Sequence, residues 1–150
     1  MKVDLSLRRS PAYRVASIVR IGPWKEENLR AEFQELVRWA RRQGVRTGRW
    51  IFFERGSDHW EACLEIRGSA RPEGRVRLKT LPATWTATIT FDPDRLSSRI
   101  VYHALNDWVR RRRRAGGIRS ARGVREVYPG DPWNDRSAWS LCRVEFLVRR

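Results

Sequence analysis

Glu145 is the carboxylate with the clearest potential for chemistry, because it lies in a stretch, residues 139–148, that alternates apolar and polar side chains. Side chains alternate between the two faces of a β-strand, so Glu145 is predicted to share one face with Arg143 and the leucines at 141 and 147. A carboxylate between two leucines is costly to bury unless another group pairs with it. Two interpretations are open: Glu145 forms an ion pair with Arg143 or a neighbouring arginine, or it faces a ligand.

Aromatic residues supply the second set of candidates, with eight Trp, three Tyr and five Phe in 150 residues. A site for a flat ligand uses such side chains, although a core uses them too. Tyr128 precedes a Pro-Gly turn, where it either packs half-buried or hydrogen-bonds in a pocket. Trp133 and Trp139 flank a loop next to the last strand and are the preferred aromatic walls. Trp85 lies in a strand and is assigned either to the core or to the same walls.

Other kinds of site find little support in the sequence. Cys63 and Cys142 are too few for a disulfide framework or a zinc site, and both are expected to be small buried apolar residues. Neither histidine has a companion at metal-ligand spacing, and neither a Ser-His-Asp order nor a phosphate-binding glycine loop occurs. No metal or cofactor is therefore expected. If the protein is an enzyme, the chemistry is hydrolysis by Glu145 with Tyr128, in a pocket that raises the pKa of Glu145 by desolvation.

The formal net charge of +15 comes mostly from arginine, since lysine occurs only at positions 2, 25 and 79. Such a balance is typical of nucleic-acid binders, in which phosphate contacts dominate affinity. The arginines are nevertheless spread along the whole chain, and arginines 110–114 form the only tight block. Five cations exceed what a helix C-terminus requires, so this block is either a solvated face or an anion-binding patch. Nucleic acid is thus kept as a partner that is not favoured.

The N-terminal residues contain no apolar segment of the kind found in signal peptides. No apolar run approaches the ~18–20 residues of a membrane span. The sequence therefore predicts a cytoplasmic protein without a membrane partner. Its length fits one domain, residues 1–150.

The order strand–helix–strand–strand occurs twice along the chain. Alternating or β-branched stretches predict strands, and a stripe of apolar residues at helical spacing predicts each helix. In the first unit the strands are predicted at 13–21, 50–54 and 60–66 and the helix at 26–42, after a strand at 3–7. In the second unit the strands are predicted at 85–91, 125–128 and 139–148 and the helix at 97–114, after a strand at 76–81.

Matched residues indicate that these two units are diverged copies, with halves of about 1–68 and 75–150. Pro11-Ala12 is repeated 71 residues later as Pro82-Ala83, and Gly22-Pro23 corresponds to Asp92-Pro93 with an offset of 70. The sequence predicts an α+β fold in which a duplicated βαββ unit forms one antiparallel sheet. Both helices are expected on one face of that sheet. A ligand groove is expected on the other face, near the pseudo-twofold axis.

The chain contains, in this order, a Pro-Ala pair followed by Ala, a Gly-Pro-aromatic segment before a Trp-bearing helix, the segment Glu126-Val127-Tyr128-Pro129-Gly130-Asp131-Pro132, and the strand end Val144-Glu145-Phe146-Leu147-Val148. Taken together, these features resemble the gyrase-inhibitor-like (GyrI-like) effector-binding family, whose repeat is of the SHS2 type. The resemblance covers nearly the whole chain and is carried by order and spacing. The family includes the ligand domains of AraC-type and MerR-type multidrug regulators and stand-alone proteins without a DNA-binding domain.

The resemblance implies a pocket for aromatic or amphipathic molecules, often cationic, with Glu145 and Tyr128 as polar anchors. Some stand-alone relatives use the same two residue types to open strained rings of alkylating natural products by hydrolysis. This chain departs from the family where the second helix begins, because Asp92-Pro93-Asp94 lacks the usual aromatic residue. That aromatic residue is either missing or supplied by Trp133 or Trp139.

The expected function is that of a stand-alone protein that senses or sequesters a small aromatic or amphipathic ligand, as one partner of a separate regulator. Its ligand-binding residues are predicted to be Glu145, Tyr128, Trp85, Trp133 and Trp139. The alternatives are a ring-opening hydrolase that uses Glu145 and Tyr128 and, less favoured, a basic nucleic-acid-binding protein. A net charge of +15 makes this chain an awkward host for a cation, which argues against the cationic ligands usual in the family.

Overall fold

Eight strands and three helices make up the fold in a computed structural model that describes residues 4–56 and 58–150, with the backbone alone at 120–122. The strands are β1 (Ser6–Ser10), β2 (Tyr13–Ile21), β3 (Arg46–Gly56), β4 (His59–Arg67), β5 (Arg77–Leu81), β6 (Thr84–Phe91), β7 (Arg119–Tyr128) and β8 (Cys142–Arg149). The helices are α1 (Glu26–Gln43), α2 (Ser98–Arg114) and α3 (Arg136–Trp139).

All strands belong to one antiparallel sheet in the order β1-β6-β8-β7-β3-β4-β2-β5, which curls into a half-barrel. The unit β2-α1-β3-β4 is repeated as β6-α2-β7-β8, and β3 pairs with β7 at the centre of the sheet. The short strands cross between the units, since β1 pairs with β6 and β5 pairs with β2. The predicted α+β fold with a duplicated unit is confirmed.

Both long helices cover the same face of the sheet, as predicted, and share one hydrophobic core with it. Helix α1 packs on β2 and β4, while α2 packs on β6 and β7. The apolar stripe of α1 includes the fully buried residues Leu36 and Trp39. The helix ends at Gly44, whose left-handed φ of 65° allows its N–H to bond back to the last turn. Each helix therefore covers its own unit and leaves the middle of the sheet less covered.

The opposite face of the sheet is closed rather than open. A second, smaller apolar cluster fills it, built from Tyr13, Val15, Ile51, Phe53, Cys63, Leu81, Val127 and the partly buried Leu147. The sheet curls around these buried side chains. The cavity described below opens on the helix side of the sheet, not on this face where a groove was expected.

Element ends differ from the sequence prediction mainly in the two central strands. β3 begins at Arg46 rather than 50, and β7 begins at Arg119 rather than 125. Each has a partner on both sides, so pairing extends it beyond its own apolar pattern. The short helix α3 was not predicted; Asp135 caps it by accepting a hydrogen bond from the N–H of Ser137 at 2.9 Å. Val3, the expected start of the first strand, lies outside the described residues.

No helix in the described part of the chain combines the length and apolar character that crossing a membrane requires.

A cluster of buried charged side chains lies beside the second apolar cluster, with Glu145 at its centre. Glu145 is fully buried and accepts hydrogen bonds from the Nε atoms of Arg125 at 3.0 Å and Arg143 at 3.1 Å. The hydroxyl of Ser10 donates to the same carboxylate at 3.1 Å. Arg125 is itself buried, so neither charge of this pair has solvent to compensate for a lost partner. The ion-pair interpretation of Glu145 agrees with this geometry.

We expect Glu145→Gln to lower the free energy of unfolding by about 3 kcal/mol or more, because it leaves the Arg125 guanidinium buried without a counter-charge. Glu73→Gln is the matched control, since Glu73 forms an exposed ion pair with Arg42 at 3.2 Å and should cost less than about 1 kcal/mol. Urea unfolding of the two variants measures the difference. Equal losses would show that the buried pair contributes no more than a surface pair.

Candidate ligand-binding cavity

A cavity of about 360 Å³ opens between α1 and α2, above the central strands β3 and β7. It lies at the pseudo-twofold position, as predicted, but on the helix side of the sheet. Nine aromatic side chains line it: Trp24, Phe33, Trp50, Phe52, Phe91, Tyr102, Tyr128, Trp133 and Trp139. The remaining lining residues are Glu26, Leu29, Glu54, Pro93, Ser98, Glu126, Pro132 and Cys142. The cavity is thus an aromatic box with three carboxylates.

The aromatic walls are held by contacts among themselves. Phe33 of α1 stacks on Trp50 of β3 with ring centroids 4.8 Å apart, and Trp133 lies 6.1 Å from Trp50. Tyr128 and Trp139 are stacked almost in parallel, 6.1 Å apart with an interplanar angle of 5°. These pairs join residues from both units and from the loop before β8. They fix flat surfaces around the space that a ligand would fill.

Glu126 is the best-organised polar group in the cavity. Its two carboxylate oxygens accept hydrogen bonds from the hydroxyls of Tyr102 at 2.7 Å and Tyr128 at 3.3 Å. Burial, together with the Glu126 charge, raises the pKa of both tyrosine hydroxyls well above its usual range. Both hydroxyls therefore remain protonated donors, and they hold the Glu126 carboxylate in one orientation.

Glu54 lies diagonally across the β3–β7 pair from Glu126, because Phe52 is directly opposite Glu126 in the register. Burial and, second, the charge of Glu126 raise the pKa of Glu54. Glu26, at the start of α1, is exposed at the mouth. The described residues give neither Glu54 nor Glu26 an ion-pair partner, and no Lys, Arg or His is among the described lining residues.

The three glutamates that are fully buried have basic partners among the described residues, unlike Glu54 and Glu126. Glu32, Glu61 and Glu145 are each at most 2% exposed, and each forms ion pairs with two basic side chains. The carboxylates of Glu54 and Glu126 are half-buried and have no basic partner in the described part of the chain. The cavity is therefore negative inside a strongly positive protein.

Three of the five residues that the sequence analysis assigned to ligand binding line this cavity: Tyr128, Trp133 and Trp139. Trp85 does not line it; its ring lies against the guanidinium groups of Arg9 at 5.9 Å and Arg150 at 4.7 Å. Glu145 does not line it either, because its side chain points to the face away from the helices.

Glu145 and Tyr128 consequently do not meet. Val144 and Val148 pack in the helix-side core, so alternation sends Glu145 to the far face, whereas Tyr128 is on the helix side. The predicted alternation of the last strand was correct, but the groove was assigned to the wrong face. The pair expected to carry out hydrolysis is thus separated by the sheet.

Sequence reasoning missed Glu126, although a signal was present. Glu126 and Tyr128 are two residues apart on a predicted strand and must share a face. Trp24 also carried a signal, since it follows the Gly22-Pro23 pair that begins the helix segment. Phe33 and Trp50 gave no such signal, because only tertiary contact brings them together. Trp133 and Trp139, the two candidates to supply the aromatic residue that is absent after Pro93, both line the cavity.

Cys142 lines the cavity but is not a ready nucleophile. Burial, followed by the charge of Glu126, raises the pKa of its thiol to about 12. The thiol therefore stays protonated at neutral pH and acts as a small apolar wall.

Neither a comparison with protein-family models nor one with curated proteins gives a match. Among solved structures, the C-terminal domain of EcmrR superposes with a TM-score of 0.71 at 18% identity, covering 100% of this chain and 99% of that domain. The EcmrR chain in a DNA complex gives a TM-score of 0.75 at 19% identity over 98% of this chain. The match spans only 57% of that longer EcmrR chain.

Two further structures carry ligand or activity names. SAV2435 bound to tetraphenylphosphonium superposes with a TM-score of 0.54 at 6% identity, covering 98% of this chain and 94% of that one. A hydrolase from Listeria innocua gives a TM-score of 0.59 at 12% identity, covering 98% and 92%. Identities this low establish shared architecture. The chain has the fold of the GyrI-like effector-binding domains, as its motifs predicted.

Proposed function

We propose that this protein binds an organic cation with aromatic surface in the cavity between its two helices, and so senses or sequesters that compound. The observation that carries the proposal is the absence of any basic partner, in the described part of the chain, for the Glu54 and Glu126 carboxylates. Among the described residues, the three fully buried glutamates, Glu32, Glu61 and Glu145, are each neutralised by arginine or lysine. A cationic ligand supplies the counter-charge that the fold withholds.

The aromatic walls suit the same ligand. The face of an aromatic ring attracts a cation, and the attraction strengthens when water is excluded. Stacked pairs such as Phe33–Trp50 and Tyr128–Trp139 present such faces to the cavity. A lipophilic cation gains from apolar contact and from charge, whereas a small hydrated cation gains little from the walls. A cavity of about 360 Å³ fits a drug-sized molecule.

Two neighbours of the same fold support this proposal by analogy. The structure of SAV2435 holds tetraphenylphosphonium, a lipophilic aromatic cation. The EcmrR structure is a complex of a longer chain with DNA. By this analogy the domain binds the ligand on behalf of a transcription regulator. If it is not joined to a DNA-binding segment, it does so as the partner of a separate regulator protein.

Ring-opening hydrolysis is the second candidate, favoured by the contact of Glu126 with two tyrosine hydroxyls and by the neighbour named a hydrolase. In such a reaction Glu126 would take a proton from water as the water oxygen bonds to a strained ring. A tyrosine hydroxyl would donate a proton to the heteroatom that leaves the ring carbon. Glu126 takes the role that the sequence analysis gave to Glu145.

Glu126→Gln should weaken tetraphenylphosphonium binding by about 10- to 100-fold, because it removes a charge from a half-buried, water-poor site. The amide keeps the shape of the side chain, so neutral triphenylphosphine oxide should bind both proteins within about threefold. Quenching of tryptophan fluorescence measures both affinities, since four of the residues that line the cavity are tryptophan. Glu73→Gln, on the surface, is the control and should bind like the wild type.

The Glu145→Gln variant distinguishes binding in the cavity from binding at Glu145, the site that the sequence analysis favoured. If the cavity binds the cation, this variant loses stability but keeps its affinity for tetraphenylphosphonium under conditions where it is folded. A larger loss of affinity from Glu145→Gln than from Glu126→Gln would refute the proposal. If the wild type hydrolyses a strained-ring substrate and the Glu126→Gln variant does not, hydrolysis becomes the favoured function.

Cation affinity should rise with pH as Glu54 ionises. Its pKa is raised in the folded protein, so the added negative charge appears at a higher pH than for an exposed glutamate. The Glu54→Gln variant should lose this part of the pH dependence and bind the cation more weakly at pH 8. Titrations with tetraphenylphosphonium between pH 4 and pH 8 measure the effect.

The raised pKa of Glu54 affects protein stability in the opposite direction: cation affinity rises with pH, whereas the stability of the ligand-free protein falls. A carboxyl whose pKa is raised by folding loses stabilising free energy as the pH rises from its unfolded-state pKa through its folded-state pKa. Ligand-free Glu54→Gln should therefore melt at a higher temperature than the wild type at pH 8 and at a similar temperature at pH 4. A variant that melts lower at pH 8 would mean that Glu54 has a stabilising partner.

A further inference from the structure

Nine arginines gather at one end of the second unit, and together they form what we call the arginine rim. Its members are Arg9, Arg110, Arg111, Arg112, Arg113, Arg114, Arg119, Arg149 and Arg150. The topology places them together because α2 ends four residues before β7 begins, and Arg119 lies directly opposite Arg149 in the β7–β8 ladder. Arg9 belongs to the same edge, since it lies opposite Trp85 while Trp85 lies opposite Val148.

All nine side chains are exposed. Apart from Arg113, which has an interaction of its own, the described residues give the rim arginines one ion pair, between Arg110 and Asp107 at 3.9 Å. Like charges directly opposite each other across two strands destabilise a sheet, as do like charges four residues apart on a helix. The Arg119–Arg149 pair carries the first cost, and the Arg110–Arg114 pair carries the second. A helix C-terminus needs far less positive charge than this.

Aromatic contacts orient part of the rim without neutralising it. Arg112 lies over the ring of Trp108 at 4.7 Å, and Arg150 lies over Trp85 at 4.7 Å. A guanidinium held over the face of a ring can still donate through the N–H groups at its outer edge. Such groups bind phosphate oxygens in a two-pronged geometry. The rim thus holds oriented donors that match a phosphate.

We propose that the arginine rim binds the phosphate backbone of nucleic acid, without sequence preference. A row of regularly spaced phosphates matches nine clustered charges better than a single anion does. A lipid surface fits less well, because the large apolar side chains that are exposed among the described residues, Val19, Ile21, Trp24, Ile100 and Leu141, lie outside the rim. Contacts to phosphate oxygens position a protein on nucleic acid but carry no sequence information.

The rim is separate from the ligand cavity. Ser98 and Tyr102, at the N-terminal end of α2, line the cavity, whereas the rim begins at the C-terminal end of the same helix. A helix of 17 residues spans roughly 25 Å at 1.5 Å per residue. Changes in the rim should therefore leave cation binding intact, and the proposal stands or falls independently of the cavity.

The test compares two triple variants that lose the same charge. The rim variant carries Arg111→Gln, Arg119→Gln and Arg149→Gln. The control variant carries Arg41→Gln, Arg46→Gln and Arg67→Gln, the corresponding exposed arginines of the first unit, where Arg46 lies opposite Arg67. Fluorescence anisotropy with a labelled 20-base-pair duplex, and with one of its strands alone, measures binding between 50 and 200 mM KCl.

Wild-type affinity should fall by about 100-fold across this range of salt, as roughly four phosphate contacts require. The rim variant should bind at least about 30-fold more weakly at 100 mM KCl, with a shallower salt dependence, because each lost phosphate contact lowers the slope. The control variant should stay within about threefold of the wild type. Both variants should melt at or slightly above the wild-type temperature, because each removes two arginines that lie opposite each other across neighbouring strands. Tetraphenylphosphonium binding should be unchanged in both.

Three results would overturn the proposal. Equal losses in the two variants would mean that net charge alone drives binding. If the wild type binds neither the duplex nor the single strand at 100 mM KCl, nucleic acid is not the ligand of the rim. Rim-dependent binding to vesicles containing phosphatidylserine, without binding to nucleic acid, would assign the rim to a membrane surface instead.

Discussion

The pairing of β3 with β7 joins the two units, and the position of the cavity depends on this contact. The register sets Trp50 opposite Tyr128 and Phe52 opposite Glu126, so the centre of the sheet presents aromatic and acidic side chains from both units. The helices pack on the strands of their own units and leave a gap above this centre. Duplication thus creates the cavity, because neither unit alone supplies two opposing walls.

Charge is distributed unevenly across the two faces of the sheet. On the far face, Glu61 and Glu145 are buried among arginine and lysine side chains, which gives a compensated interior. On the helix side, Glu54 and Glu126 face an aromatic space without such compensation within the described residues. A protein of net charge +15 can in this way keep a locally negative pocket. The cost appears in the raised pKa of Glu54.

Periodicity in the sequence identified most of the architecture. The helix at 26–42, the cap at Gly44 and the alternation around Glu145 all follow from local side-chain spacing, and the structure agrees with them. The duplication was visible because matched residues recur at nearly constant offsets. Alternation even assigned the faces of the last strand correctly, since side-chain direction along a strand depends only on the local backbone.

The tertiary structure alone decided which face of the sheet holds the cavity. The curl of the sheet is a property of all eight strands together, and it closes the face that carries Glu145 around an apolar cluster and Arg125. Likewise, Glu54 and Glu126 become neighbours only through the β3–β7 register, which joins residues far apart in the chain. Local spacing determines the direction of a side chain within its own strand. What that side chain meets depends on long-range pairing, which a single sequence does not encode in any local pattern.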